Sequence, residues 1–574
     1  MFFWRKRAKS DLDLLKYSRR KRRRGFSFQA LGWGAFTVSL GGVLAAAITI
    51  NTNGLIEFGQ GSVRTIVCDR NVDISPVVTF DSTQNEFTAE ALQLTNLNNN
   101  VGSGDDAGCG NKTLIITVYS PASAGSVKQV FQKKLFIGPG DSLNYQELIP
   151  LLKSNDSLFA STEIGNITIE QQTVTISGSF DTSFNSTGFV ETIFSTGENI
   201  IFDLALQSNG KIVAVGVDNF AINNNFAIAR YLSDGKLDTS FNTTGRAALD
   251  LNSNNDDARA VAIQSNGKII VAGYTTPGGG DFDFALVRFN SNGTLDSTFG
   301  TSGITILDIN SASADDLIYD IALDSQDRII AVGRTQTGSN VDAVAVRFTS
   351  NGALDTSFGT SGVTRINSDT SNEYARSIKI DSSGNLLIGG YKSGATYLQP
   401  AVWKLNSAGV FDSAWSAATG AGDARIQEII FDQDGNLVAV GDSIKVSNVA
   451  FTAWKLNPSD LTPVSGFGTG GVVTHSIGSG NAFALAIASA RDGKLILGGQ
   501  AVGTANEDFA LARISLADGS LDASFADAGI KIAPIGSNED LITSLLVQSD
   551  GWIIAGGYAD NNVDKRNFAI ARFR

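Results

Sequence analysis

From Ser177 to Arg574, short apolar runs alternate with turn residues, and they do so in phase. One hairpin pattern reads SNGKIVAVG from Ser208, SNGKIIVAG from Ser265, SQDRIIAVG from Ser325, SSGNLLIGG from Ser382, QDGNLVAVG from Gln433, RDGKLILGG from Arg491 and SDGWIIAGG from Ser549. Its closing glycines, Gly216, Gly273, Gly333, Gly390, Gly441, Gly499 and Gly557, are spaced 57, 60, 57, 51, 58 and 58 residues apart. A block of that period is one supersecondary unit stacked seven times. In the second copy Arg259 to Gln264 alternates polar with apolar, Ser265 to Gly267 is a turn, and Lys268 to Gly273 is nearly all apolar. Phe284 to Phe289 follows a glycine-rich loop, and after Asn292-Gly293 comes LDSTFGTSGITILDI from Leu295. Asn-Gly and Asp-Gly pairs suit primed hairpin turns, whose central residues need positive φ. The pattern predicts four antiparallel strands per copy.

Phase separates a closed ring from an open solenoid. The chain stops at Arg574 just after FAIARF (Phe568 to Phe573), the third strand, so the seventh copy lacks its last part. That part stands at the start instead, as SFDTSFNSTG from Ser179 to Gly188. The N-terminal fragment is therefore expected to complete the last blade, which removes the two exposed sheet edges of an unclosed array. Distinct capping repeats, which a solenoid needs, are not found. The expected fold class is all-β: a seven-bladed β-propeller over 177–574, preceded by a small β-sandwich-like domain and one N-terminal helix.

FAIARYLSDGKLDTSFNTTG from Phe226, FALVRFNSNGTLDSTFGTSG from Phe284, AVAVRFTSNGALDTSFGTSG from Ala343 and FALARISLADGSLDASFADAG from Phe509 resemble the delta-60 repeat, a bacterial β-propeller motif, across about 70% of the chain. The fourth copy (PAVWKLNSAGVFDSAW from Pro400) and the fifth (FTAWKLNPSDLTPVSGFG from Phe451) are degenerate, with lysine for arginine and Trp415 where most copies have Phe. The resemblance implies a seven-bladed fold in exported bacterial proteins and carries no catalytic residues to transfer.

Composition fits a folded, turn-rich β protein: 42% of the 574 residues are hydrophobic and 18% charged, with 61 Gly and 9 Pro. The net charge of −13 is unevenly spread, because the first 24 residues hold eleven Lys and Arg against Asp11 and Asp13, a net +9 that leaves −22 for the rest. So acidic a body argues against a nucleic-acid partner. Residues 1–25 read as a basic cytoplasmic segment. Residues 26–50, uncharged and rich in Leu, Ala, Val, Ile and Gly, are long enough to span a hydrocarbon core of about 30 Å. Basic residues upstream place the body outside the cell membrane. A cleaved signal peptide is the alternative, with Ala45 to Ala47 as its cleavage site, and it would leave the body secreted. A third reading is a pilin-like subunit, since Gly25-Phe26 resembles the leader junction of type IV prepilins, although Ala30 stands where that family has glutamate.

Residues 51–175 lie outside the repeat and read as a small β domain, with one helix-like stretch at Ser142 to Lys153. Both cysteines of the chain, Cys68 and Cys109, fall there, and in an exported domain a disulfide is expected. Closing that loop contributes about 3 to 4 kcal/mol.

Candidate chemistry is sparse. His475 is the only histidine, which excludes multi-histidine metal sites and leaves it a structural residue. The recurring Arg230, Arg288, Arg347, Arg513 and Arg572, with Lys404 and Lys455, are expected to bond a carboxylate or carbonyl of a neighbouring blade. Phe184, Phe241, Phe299, Phe358 and Phe525 should fill gaps between sheets. Asp181, Asp238, Asp296, Asp355 and Asp522 should cap their turns. A set of acids 11 or 12 residues ahead of the hairpin turn in six of the copies, Glu198, Asp256, Asp316 (beside Asp315), Glu373, Asp423 and Glu539 (beside Asp540), with Asn481 in the sixth copy, is a candidate acidic ring at one mouth of the channel. The alternative for these acids is a solvated rim. Acidic turns such as Asp432 to Gly435 lack the ligand set of a calcium loop, and no cofactor or metal is expected. Sequons at Asn111 and Asn166 are of the number chance supplies in so Asn-rich a chain. Together these features predict an exported, membrane-anchored, non-catalytic propeller that binds a protein or glycan at the cell surface as an adhesion or scaffold protein. The rival is an exported hydrolase or lyase that works on polysaccharide with paired carboxylates.

Overall fold

A computed structural model describes residues 177–574 except 221–222, 252–253, 311–313, 339, 367–370, 418–421, 446–447, 491, 504–505, 549–550 and 563–564, and between residues 48 and 172 it describes strand backbones alone. The expected membrane or signal helix over 26–50, the prepilin-like junction at Gly25, and Cys68 and Cys109 lie outside the described residues. Among the strand backbones are Asp73–Asp81, Glu86–Leu97, Lys112–Tyr119 and Gln129–Ile137. Tyr145–Pro150 is also extended rather than helical, and it pairs along Glu86–Leu97.

From Asn199 onward the chain forms seven four-stranded antiparallel sheets in sequence order. Their innermost strands are Asn199–Leu206, Asp256–Ile263, Asp316–Leu323, Glu373–Ile380, Ala424–Phe431, Ala482–Ala490 and Asp540–Val547, here blades 1 to 7. Each innermost strand lies beside the next, and that of blade 7 lies beside that of blade 1, so the ring is closed. The second and third strands are buried on both faces. Ile269–Thr275 of blade 2 is buried at every residue, because a sheet lies on either side of it, and this explains its uninterrupted apolar reading.

Closure takes the form that the phase predicted. Phe189–Thr192 pairs with Lys565–Phe573 as the fourth strand of blade 7, with Phe189 opposite Ala571 and Thr192 opposite Phe568. Around it the Gly178 amide donates to the Arg574 carbonyl at 2.6 Å, and the Asp181 amide to the Arg572 carbonyl at 2.8 Å. Asp181, fully buried, accepts from Arg572 Nε at 2.8 Å, which welds the first described turn to the last strand.

The repeated residues are consumed in holding blades together. In blade 2, Arg288 Nε donates to Asp296 of its own repeat at 2.6 Å, Nη1 donates to the Ser350 carbonyl of blade 3 at 2.6 Å, and the guanidinium lies 4.8 Å from the Phe299 ring. Arg347 does the same with Asp355, the Ser407 carbonyl and Phe358. The carbonyl thus belongs to the neighbouring blade, as expected, while the carboxylate comes from the same repeat, eight residues on. Each of these aspartates also caps its turn: Asp238 Oδ1 accepts from the Ser240 amide at 3.1 Å and hydroxyl at 2.6 Å.

Phe184, Phe241, Phe299, Phe358 and Phe525 are all fully buried. Each presses against a turn glycine of the following blade. A Cβ on Gly352, for instance, would lie 2.6 Å from the Phe299 ring. The junction of blades 4 and 5 has no such phenylalanine; Trp415, partly buried, packs there beside Leu461, which is why the fourth copy reads as degenerate.

The sevenfold closing glycine answers to a bulge. Every innermost strand carries an extra residue against its neighbour, at Phe202, Arg259, Tyr319, Arg376, Gln427, Leu485 and Thr543. This bulge drives a carbonyl of the innermost strand into the place a side chain would need, so that a Cβ at any of the seven closing glycines would stand 1.7 to 1.9 Å from that oxygen. Only glycine leaves the room. The bulge also turns extra side chains toward the axis.

Candidate functional site

The central channel holds a cavity of about 540 Å³ lined by those bulge residues and their successors. Asp203, Asp320 and Glu428 directly follow the bulge in blades 1, 3 and 5. Each accepts a backbone N–H from the innermost strand of the next blade: Asp203 from Val261 at 2.9 Å, Asp320 from Ile378 at 2.9 Å and Glu428 from Ile487 at 2.8 Å. In blades 4 and 7 the corresponding residues are Ser377, whose hydroxyl accepts from the Ile429 amide at 3.3 Å, and Ser544, which accepts from Leu204 at 3.2 Å. Blades 2 and 6 have Ala260 and Ala486 there. Position by position, the ring uses these side chains as latches between blades.

Lys379 reaches the same level, with Nζ 3.9 Å from Asp320 and a third of its side chain open to the channel. Burial, reinforced by the negative charge of Asp320, pushes Asp203 up to about 7. Burial likewise pushes Glu428 up to about 8, against the pull of the Lys379 charge. Burial would lower Lys379, but the Asp320, Glu428 and Asp203 carboxylates outweigh it and raise the ammonium instead. Two carboxyls that titrate near neutrality thus face one cation inside the channel.

The candidate acidic ring is divided by the alternation of the strand. Asp256, Asp316 and Glu373 are first residues of innermost strands and are fully buried. Asp256 accepts from the Leu251 amide at 2.7 Å and Asp316 from the Ile309 amide at 2.7 Å, so they tie down the loop arriving from the preceding blade. Burial pushes both up to about 6. In blade 7 that anchor is Asp540 rather than Glu539, accepting from Ile535 and Gly536. Glu198, Asp423 and Glu539 sit one residue earlier, the first two half-buried and Glu539 exposed: Glu198 and Glu539 flank Arg566 at 3.9 and 3.7 Å, and Asp423 lies 3.2 Å from Arg425. The structure does not gather the six into one ring. Asp283, Asp308 and Asp316 do converge, with carboxylate oxygens within 4.8 Å, and burial together with those neighbours and Asp281 pushes Asp283 up to about 6. His475 is on the outermost strand of blade 5, where Nε2 bonds the Gly519 carbonyl at 2.9 Å.

Sequence reasoning missed the channel latches and the residues of the mouth. Their signal is an ionisable residue inside an otherwise apolar first strand, as in FDLALQ from Phe202, YDIALD from Tyr319 and QEIIFD from Gln427. At the mouth, blades 3 to 5 present Tyr319, Tyr374, Tyr391, Arg376, Arg425 and Gln427, and the last five, with Leu398, line a second cavity of about 360 Å³ that shares Arg376 and Gln427 with the channel. Opposite them blades 6, 7 and 1 offer Leu485, Leu541 and Phe202. The mouth therefore has a polar, aromatic side and an apolar side.

Among known proteins, the family model described as a domain of unknown function (DUF5122) β-propeller matches residues 207–241, 264–299, 327–358, 490–525 and 548–574. No curated protein matches. Similar solved structures include a catalytically inactive virginiamycin B lyase from Staphylococcus aureus with quinupristin, at 13% identity and a TM-score of 0.40, covering 67% of this chain and 98% of that one. A protein of unknown function from Dyadobacter fermentans (10% identity, TM-score 0.37) covers 67% and 100%, and the polysaccharide lyase Uly1 (12%, 0.38) covers 66% and 90%. The matched segments recur at the blade hairpins and the turns that follow them, so sequence and geometry agree on a seven-bladed β-propeller repeat protein.

Proposed function

We propose that this chain is an exported, membrane-anchored propeller that binds its ligand at the polar side of the channel mouth and does not transform it. The repeat that resembles delta-60 supplies the frame, and residues 1–50 supply export and anchoring. One observation carries this reading: the charged residues that recur in the repeat are used up between blades, whereas the polar groups of the mouth in blades 3 to 5 differ from blade to blade and face open cavities. Rigid scaffolds with variable positions at one end are suited to recognition. Incubation of the full chain with a glycan and protein array is expected to give binding without turnover. Gln427→Trp, which fills the space shared by both cavities, is expected to abolish that binding while the fold stays intact by circular dichroism.

A hydrolase or lyase acting on polysaccharide is the second reading. It is favoured by Asp203 and Glu428, whose raised carboxyls could exchange protons near neutral pH. New reducing ends or unsaturated uronyl products, lost in Glu428→Gln, would establish the enzyme and sink the binding reading.

A further inference from the structure

Blades 2 and 4 place an arginine at the same bulge position and treat it differently. The charge of Arg259 is met inside the protein: Nη2 donates to Asp257 and to the Tyr274 hydroxyl, each at 2.6 Å, and the guanidinium lies 3.8 Å from the Phe202 ring. In blade 4 the residues corresponding to Asp257 and Tyr274 are Tyr374 and Tyr391. Arg376 accordingly has no ion pair among the described residues; Asp442 feels its charge but is paired with Arg425. Its Nε donates to Gln427 Oε1 at 3.2 Å and it lies 4.3 Å from the Tyr319 ring; among the described residues no carboxylate stands within ion-pair distance and neither Nη has an acceptor.

The surrounding groups are equally uncommitted. Tyr374 and Tyr391 stack at 4.8 Å with an interplanar angle of 21°. Their hydroxyls, and that of Tyr319, have no hydrogen-bond partner among the described residues, unlike Tyr231, which bonds Thr192 at 2.7 Å. Arg425 is not a second free cation, since Asp423 and Asp442 lie 3.2 and 3.5 Å from it.

A half-buried guanidinium without a directly paired anion is a costly arrangement that a ligand anion relieves, and its planar fork fits a carboxylate or sulfate with two parallel bonds. Aromatic walls with free hydroxyls suit the mixed apolar and hydroxylated surface of a sugar ring. The cavity, about 360 Å³, is within the range of small-ligand sites. A long polyanion does not fit, because the chain is acidic overall at −13 and Arg376 is a single cation.

We propose that this cavity in blade 4 recognises an anionic pyranose, either a uronate or a sugar sulfate, with its acidic group on Arg376 and its ring against Tyr374 and Tyr391. The proposal rests on the binding reading above and adds the ligand class. Its test is calorimetry on the full chain with trigalacturonate, a sulfated disaccharide and neutral galactotriose. One or both charged probes should bind at least tenfold more tightly than galactotriose, and the arm that binds names the anion. Arg376→Gln should weaken that probe on the order of tenfold to a hundredfold, as expected for a charge-assisted bidentate contact. Arg376→Lys should restore part of the affinity, and Arg566→Gln, at the rim of blade 7, should leave it unchanged. Equal binding of charged and neutral probes, no binding of any probe, or full affinity in Arg376→Gln would overturn the proposal. If the probes fail while another array ligand binds in a manner sensitive to Gln427→Trp, the binding reading stands and only the ligand class falls.

Discussion

The phenylalanine that each repeat inserts beneath the next blade allows a quantitative test of how the ring is held. Phe299 is fully buried, so Phe299→Ala should cost about 3 to 5 kcal/mol through lost burial and the cavity left behind. Gly352, on the other side of the contact, has φ +82°, and a Cβ there would lie 2.6 Å from the Phe299 ring. Gly352→Ala thus carries two costs: about 1 to 2 kcal/mol for a left-handed alanine and about 1 to 3 kcal/mol for overpacking. Removing the ring abolishes the second cost and leaves the first. The double variant should therefore be about 1 to 3 kcal/mol more stable than the sum of the single changes predicts. The loss of the Arg288 stacking contact on Phe299 occurs in both backgrounds that lack the ring and cancels from the cycle. Equilibrium urea unfolding of all four proteins, read by tryptophan fluorescence and circular dichroism together, gives the coupling. Costs that add to within about 0.5 kcal/mol would falsify the view that the ring and the turn glycine form one contact.

Two further outcomes follow from buried charge. Asp181→Ala leaves the guanidinium of Arg572, 8% exposed, without its carboxylate, which should cost about 3 to 5 kcal/mol. Hydrogen exchange should then rise first in 565–573, and unchanged protection of that strand would refute the weld. Stability should also respond to pH in opposite senses at the two ends of the scale. Asp203 and Glu428 are raised in the folded protein, so their favourable contribution is complete below the usual carboxylate range, about 4, and is lost as pH rises through about 7 and 8. Burial would raise Asp181, Asp238 and Asp522, but serine hydrogen bonds and the Arg572, Arg230 and Arg513 charges outweigh it and lower them. Their contribution is therefore lost as pH falls. Thermal melts should show greatest stability on the mildly acid side, and Asp203→Asn should flatten the alkaline decline. A profile for that variant parallel to the unmodified protein would refute the assignment.

The ring was legible because its period and its phase are both written in the chain: LDTSF from Leu237 shows the blade, and its stray copy from Ser179 shows the closure. The bulge was not, since an extra residue in one strand is visible only against its partner. The sole trace is the glycine opposite it, which in sequence reads as an ordinary strand end. The acidic ring illustrates a second limit. Glu539 and Asp540 are neighbours of the same chemical type, yet successive strand residues face opposite ways, so one is at the rim and the other holds a loop in the interior. A pattern accurate to one residue either side cannot separate those fates. The mouth escaped notice for the opposite reason: Arg376 and Tyr391 have counterparts only in some copies, such as Arg259 and Tyr274 of blade 2, and a search for what recurs in every copy passes over them.

Seven is an odd number, and the latches show what that entails. Carboxylates in blades 1, 3 and 5 begin an alternation that cannot be completed around the circle, so two neighbouring blades, 6 and 7, must both go without. Strict rotational symmetry is thereby lost, and the pore acquires a compass direction: carboxylates in blades 1, 3 and 5, and an arc over blades 6 and 7 with none at that level. A molecule lowered into it would meet a preferred bearing about the axis rather than seven equivalent ones.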